Sequence, residues 1–215
     1  MRNRIVFALV LCVGISKSAN ADLMNGTFAP GPGGSFTTIS VGDQPGSVTI
    51  PDWTVSGGSV DWIGSYWQAP SPGTYSIDLD GSTPGTLSQD FSLAAGDYVL
   101  SFYLSGNPDG GDPTKSLSVS ITSPGTNPVS QSFSFITGSN TKTDMGYVLE
   151  KVAFTSTGPV DLKFISTDAS TSPYGPVIGD VSVTAVPEPS SLALLGLGGV
   201  SLAMAAYRRR RAIDC

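Results

Sequence analysis

Histidine is absent from this chain, and its only two cysteines, Cys12 and Cys215, sit near its two ends. The first absence removes Ser-His-Asp catalysis and imidazole-based zinc sites. The second leaves the interior with neither a disulfide nor a thiol nucleophile, so it is held by core packing and, at most, by a metal with oxygen ligands. Arginine is missing between Arg4 and Arg208, and the basic residues between Asp22 and Asp180 are Lys115, Lys142, Lys151 and Lys163. Against these 4 lysines stand 15 acidic residues over the same span, a balance of 4 minus 15, or −11. A surface of that sign repels phosphate, which excludes nucleic acid and favours neutral or cationic partners. A helical period is lacking too: no stretch before Val186 sustains apolar residues at three- and four-residue intervals.

Long apolar runs occur only at the two ends. Arg2 and Arg4 precede an apolar stretch from Ile5 to Ile15, and Ala19-Asn20-Ala21 comes after it. That order is a secretory signal, cleaved after Ala21 so that Asp22 opens the mature chain. Leu11 is too large for the small residue a lipoprotein signal requires ahead of Cys12. At the other end, Val186-Pro187-Glu188-Pro189-Ser190-Ser191 leads into an uncharged run of 16 residues, Leu192 to Tyr207, and then Arg208, Arg209, Arg210 and Arg211. The prolines keep their stretch extended and exposed. As a helix the run is roughly 24 Å long at about 1.5 Å per residue. That is a short membrane span, and the arginines stop it and place the tail in the cytoplasm. The order Pro187-Glu188-Pro189, short span, arginine block resembles the PEP-CTERM sorting signal of Gram-negative bacteria. The resemblance implies handling by exosortase, a membrane protease, with cleavage near the Pro-Glu-Pro motif. A plain membrane anchor accounts for the span and the arginines but not for that motif.

Between the ends the chain reads as β structure. Tyr98, Leu100, Phe102 and Leu104 alternate with Val99, Ser101, Tyr103 and Ser105. Leu117, Val119 and Ile121 alternate with serines, and Val160, Leu162 and Phe164 with Asp161, Lys163 and Ile165. Period-2 patterns of this kind put one face in a core and one in water. Further strands are expected over 58–63, 75–79, 87–91, 129–136, 149–155 and 177–184, separated by clusters such as Ser71-Pro72-Gly73 and Ser123-Pro124-Gly125. The expected organisation is a signal peptide at 1–21, an all-β sandwich at 22–184 and a linker at 185–191. A transmembrane helix at 192–207 and a basic cytoplasmic tail at 208–215 complete it. Leu100, Phe102, Val119, Leu162, Val181 and Val183 are the predicted core.

Ordered pieces of the middle region carry a second resemblance. They are Asn25-Gly26-Thr27-Phe28, Ile50-Pro51-Asp52-Trp53, Gly58-Ser59-Val60-Asp61-Trp62, Ser76-Ile77-Asp78-Leu79-Asp80-Gly81, Leu87-Ser88-Gln89-Asp90-Phe91, Met145-Gly146-Tyr147 and Gly179-Asp180-Val181-Ser182-Val183. Together they resemble the DUF642 or choice-of-anchor C family of bacterial surface and plant cell-wall proteins. The resemblance implies a galactose-binding-like jelly roll that binds polysaccharide and has no known catalysis. It also implies a structural Ca²⁺ where the first and last strands meet, which singles out Asn25 and Asp180. The cysteines of the plant members have no counterpart here.

Residue chemistry adds candidate sites. Trp53, Trp62, Tyr66, Trp67 and Tyr75 cluster in sequence, and flat aromatics suit the apolar face of a sugar ring. Trp53 and Trp62 fall on strand patterns and are expected in the core. Tyr66, Trp67 and Gln68 fall in a loop and are the expected carbohydrate platform, with core filling as the alternative. Asn107 to Asp112 reads as a solvated turn or a second oxygen-rich cation site. Asp78 and Asp80, two apart on a strand, would stand about 6 to 7 Å apart on one face, a spacing that also suits a glycosidase pair. The favoured reading is a non-catalytic, exported, polysaccharide-binding surface protein. It begins as an inner-membrane-anchored precursor and ends at the cell surface or in the extracellular matrix. A structural surface protein without a ligand, or a glycoside hydrolase, are the rival readings.

Overall fold

The computed structural model describes residues 23–42, 48–169 and 171–187. Eleven strands form two facing sheets. In the six-stranded sheet the order is β1 (Phe36–Ser40), β3 (Ser59–Ile63), β4 (Ser76–Asp78), β11 (Pro176–Ala185), β6 (Gly96–Gly106) and β9 (Val148–Ser156). The five-stranded sheet runs β2 (Thr54–Ser56), β5 (Thr86–Ser92), β10 (Pro159–Ser166), β7 (Thr114–Thr122) and β8 (Val129–Ile136). Every neighbouring pair is antiparallel. From β4 onward the chain places β4, β11, β6 and β9 in one sheet and β5, β10, β7 and β8 in the other. That interleaving is the jelly roll, so the all-β class and the sandwich agree with the sequence reading.

Alternation explains why these segments are strands. In β6, Tyr98, Leu100, Phe102 and Leu104 are buried while the residues between them are half-buried. In β7, Leu117, Val119 and Ile121 face inward and Ser116, Ser118 and Ser120 outward. The inward rows meet between the sheets, where Phe102 contacts Phe133 and Phe164 edge-on, with ring centroids 5.3 and 5.1 Å apart. All six predicted core residues are buried. β1 and β2 are not among the predicted strands. β2 is 3 residues long, too short to show a period, and only Ile39 of β1 is buried.

β11 breaks its own alternation. Its register with β6 shifts between Gly179 and Ser182, and Asp180 takes a left-handed φ of 49° there. Such a bulge adds a residue to one strand and re-aims the side chains beyond it, so Val181 and Val183 still point into the core. The N-terminal segment lies against the bulge: Val181 N donates to Gly26 O at 2.8 Å. A Cβ on residue 26 would stand 1.8 Å from the Val181 carbonyl oxygen, so this approach requires glycine.

The chain leaves the sandwich at the end of β11. Val186 N donates to Asp97 O at 2.8 Å, and Pro187 after it is exposed. Ala19, Ala21, Glu188, Pro189, the span 192–207 and Arg208, Arg209, Arg210 and Arg211 lie outside the described residues, as do the signal peptide and the cytoplasmic tail. Among the described residues no helix is long and apolar enough to cross a membrane.

Candidate functional site

Four segments distant in sequence meet over the outer face of the six-stranded sheet, where Ile63 and Val177 alternate with the inward Trp62 and Ile178 and pack with Trp67 and Met145. Tyr66 lies after β3 in a loop held by backbone bonds, Gly64 N to Ser35 O at 2.8 Å and Ser65 N to Gly34 O at 3.1 Å. Its hydroxyl donates to Asp109 Oδ2 at 2.7 Å and accepts from Lys142 Nζ at 2.7 Å. Lys142 also pairs with Asp109 at 3.1 Å, and its ammonium lies 3.9 Å from the Tyr66 ring centroid. The Tyr66 hydroxyl, and after it Asp109, hold the Lys142 amine above its ordinary range. Phe36, 44% exposed, sets its ring 5.1 Å from that of Tyr66. Gln68 is exposed and latches the neighbouring loop: its backbone N donates to Lys142 O at 2.7 Å, and its Oε1 accepts from Met145 N at 2.8 Å. The result is a surface patch with two aromatic rings, an ammonium, a carboxylate and an amide.

Trp67 is corrected from loop platform to core. It is 6% exposed and packs with Ile63, Met145 and Val177, and its Nε1 donates to Ser76 Oγ at 3.0 Å. The two rings pack together, centroids 5.4 Å apart, with Tyr66 partly buried against the cluster that takes in Trp67. The larger indole is buried with its single donor satisfied, while the phenol of Tyr66 keeps its polar end at the surface. Trp53 and Trp62 are buried as expected, and each pins the N-terminal segment: their Nε1 atoms donate to Asn25 O and Phe28 O, both at 3.0 Å. Sequence reading missed Phe36, Asp109 and Lys142 as partners of Tyr66. The available signal was the scarcity of lysine, since Lys142 is one of 4 cations in a strongly acidic region.

Adjoining this patch lies a sealed polar corner. Asp78 Oδ1 accepts from Asp80 N at 3.0 Å and Gly175 N at 3.1 Å, and Oδ2 accepts from Asn107 Nδ2 at 2.7 Å. Burial drives the Asp78 carboxyl well above the usual carboxylate range, against the pull of those bonds. Asp80 is equally buried, yet neither of its carboxylate oxygens has a hydrogen-bond partner. Burial first, and repulsion from Asp168, push its pKa up to about 6 against the pull of the nearby Ser166 hydroxyl and the Lys115 ammonium. Lys115, fully buried, donates to Gly110 O at 2.7 Å and Tyr174 O at 2.8 Å, and burial lowers its pKa. β4 ends at Asp78, so Asp80 is not its strand neighbour on one face but lies in the turn after it, bridged to Pro84. A Cβ on Gly175 would come within 2.5 Å of Asp80 Cγ, so glycine closes the corner. Solvent reaches neither carboxylate, and the arrangement ties β4, β6 and β11 together rather than facing a substrate.

Asn25 and Asp180 are brought to a second corner, where the N-terminal segment meets the bulge of β11. Asn25 Nδ2 donates to Pro51 O at 2.9 Å, and both residues adopt φ of 49°. Their side chains contribute one carboxylate and one amide. Among the described residues no group of three or more acidic side chains converges in a way that could hold a metal. The 107–112 segment is a turn: Asp109 N donates to Asn107 Oδ1, and Thr114 N to Asp112 Oδ1.

Known proteins share parts of this chain. The family model described as "Protein of unknown function (DUF642)" matches residues 21–184, and the PEP-CTERM protein-sorting motif matches residues 185–211. Halomucin of Haloquadratum walsbyi is 49% identical over 63 residues, 28% of this chain and 1% of that protein. Among solved structures, the CBM22-1 xylan-binding domain of Paenibacillus barcinonensis Xyn10C aligns with a TM-score of 0.44 at 15% identity, covering 71% of this chain and 95% of that one. A family 35 carbohydrate-binding module from Clostridium thermocellum gives 0.43 at 13%, over 71% and 100%. TmCBM61 in complex with β-1,4-galactotriose gives 0.40 at 16%, over 79% and 100%. At such values the jelly-roll assignment rests on this chain's own strand order.

The orphaned Asp80 carboxylate makes a pH prediction. Its folded pKa, about 6, lies above the unfolded value, so its contribution is fully present below about pH 4 and is lost as pH rises through 6. Asp78, Asp61 and Asp168, also raised, act in the same direction. The Asp80→Asn variant, neutral at every pH, is expected to gain unfolding temperature on the native protein between pH 4 and pH 7. A difference between the two that stays constant across that window would refute this account of Asp80.

Proposed function

This chain belongs to the DUF642 family and ends in a PEP-CTERM protein-sorting motif, and from that premise we propose that it is an exported surface or matrix protein whose jelly roll binds polysaccharide through Tyr66, Phe36, Lys142 and Gln68. The observation that carries the reading is the placement of the patch. Asp109 lies just past the C-terminal end of β6, whereas Pro187 leaves beside Asp97 at the N-terminal end of the same strand. An 11-residue strand spans about 33 Å at roughly 3.3 Å per residue. The Asp109 and Lys142 side of the patch therefore lies toward the end of the domain opposite the one the tail leaves from. Its aromatic faces suit the apolar side of a sugar ring, and its ammonium, carboxylate and amide suit the hydroxyl rim. At a net charge of −11 over 22–180, neutral or amino-sugar polymers are favoured over polyuronates.

Retention on immobilised neutral glycans tests the site. Tyr66→Ala and Lys142→Ala are each expected to weaken binding by about 1.4–2.8 kcal/mol, roughly ten- to a hundredfold. Trp67→Ala instead removes core packing and costs about 3–5 kcal/mol of stability. Unchanged retention of both surface variants would remove this patch from the function.

A structural Ca²⁺ at Asn25 and Asp180 forms part of the proposal, with backbone carbonyls completing the six to eight oxygens the ion takes. The support is the meeting of the two residues beside the Gly26–Val181 bond. The expected result is a higher unfolding temperature in millimolar Ca²⁺ than in chelator, abolished by Asp180→Ala. Equal midpoints would eliminate the ion.

The tail is proposed to be a temporary anchor read by exosortase. In this reading the precursor spans the inner membrane through 192–207 and is cut near Pro187-Glu188-Pro189, losing the arginines and Cys215. Intact mass of the protein from wild-type cells is expected to lack the arginine block, and from cells without exosortase to retain it. Full-length tails in both would establish a plain anchor.

A further inference from the structure

Four strands form the lateral edges of the two sheets, and three carry protection against pairing with another chain. β2 has 3 residues and β1 has 5, too few to template a partner. β9 has 9 but places Glu150 and Lys151 in its middle. β8 has none of these devices. Its 8 residues, Val-Ser-Gln-Ser-Phe-Ser-Phe-Ile, contain no charge, proline or glycine. Its register with β7 is unbroken from Ile136↔Thr114 to Val129↔Ile121. Beyond that ladder, its backbone makes no hydrogen bond among the described residues. The far side of β8 is thus a row of donors and acceptors that water satisfies now and a strand would satisfy equally well.

We propose that β8 pairs edge to edge with β8 of a second copy of this chain, joining the two five-stranded sheets into one. Charge is the first argument for this occupant. The chain carries no charged side chain from Ser116 to Thr141, so this is where two strongly acidic domains can approach without setting like charges opposite each other. Self-complementarity is the second. Antiparallel strands oppose residues of the same face, so a two-fold axis passes beside Ser132 or beside Phe133. In the first register Ser130 faces Ser134 and Gln131 faces Phe133. In the second Ser132 faces Ser134 and Phe133 faces its own copy. Either way the outward serines of β7 and β8 continue across the seam, and the partly buried Val129, Phe133 and Phe135 extend the core beneath it.

The symmetry has a consequence for where pairing occurs. A two-fold axis through antiparallel strands turns one copy end over end, so the two Pro187 ends leave at opposite poles. Two copies anchored by their tails in one flat membrane cannot adopt that arrangement. Pairing therefore belongs to the protein after its tail is free, and it leaves the Tyr66 patch of each copy, over the other sheet, uncovered.

Sedimentation velocity of the exported, processed protein over a range of concentrations tests the pairing. The expected result is a reversible dimer. Ser132→Asp with Ser134→Asp puts carboxylates opposite one another in either register and is expected to weaken the dimer by about tenfold or more, with an unchanged unfolding temperature. Ser132→Thr with Ser134→Thr is expected to keep it. A monomer at every concentration, or a dimer indifferent to the aspartates, would overturn the proposal. Should the aspartate variant fail to fold, deuterium exchange of the native protein decides: protection of the β8 amides that rises with concentration supports the pairing, and concentration-independent exchange rejects it.

Discussion

The insertion of β11 between β4 and β6 is the constraint on which the rest of the molecule depends. Until the last strand is in place, β4 and β6 have no common neighbour and the six-stranded sheet is two fragments. Its insertion fixes both poles at once. The start of β11 brings Gly175 against Asp78 and Asp80, and its bulge receives the N-terminal segment through Val181. Its end delivers Val186 to Asp97 and hands the exposed Pro187 to the sorting motif. Non-local pairing of this kind must meet its loop-closure entropy before its contacts form. The domain is thus complete only once nearly all of it has been synthesised and exported.

The sealed corner shows what this closure costs and why it is tolerated. Two carboxylates and an ammonium are taken from water at the junction of β4, β6, β7 and β11. Asp78 and Lys115 recover part of the desolvation through charge-assisted hydrogen bonds to backbone and Asn107, while Asp80 has no close hydrogen bond and is eased only by the nearby Ser166 hydroxyl and the Lys115 charge. Such groups cannot be rearranged without stranding a charge. They specify one way for the turns at this end to meet, and those same turns carry Asp109 to Tyr66 and Lys142. The rigidity of the surface patch is in this sense inherited from the buried corner beside it.

The two ends of the sandwich have different work. Toward one lies the salt-bridged ammonium beside Tyr66; the other releases the chain toward its sorting signal. Between them, the outer face of β7 and β8 is lined with serine hydroxyls, and the β8 edge is bare of charge. A domain polarised along its strands, with an uncharged edge at its side, is what the PEP-CTERM sorting motif is attached to.

Much of this was legible in the chain because period-2 alternation and Gly/Pro punctuation are local properties. β6, β7, β8 and β10 could be read from which residues alternate, and the core of Leu100, Phe102, Val119 and Leu162 came from the same rows. The sorting motif was equally local, being a linear order of proline, apolar length and charge. What the chain alone could not decide was anything set by distance across the fold. Whether Tyr66 or Trp67 faced water depended on the Ile63, Met145 and Val177 cluster that takes in the indole. Asp78 and Asp80 read as an accessible pair until β11 laid Gly175 over them. Lys142 was an isolated lysine until a loop latched by Gln68 carried it to Tyr66. The physical reason is the same in each case: the period of a strand determines which residues face inward, while only strand order and loop closure determine which of them meet.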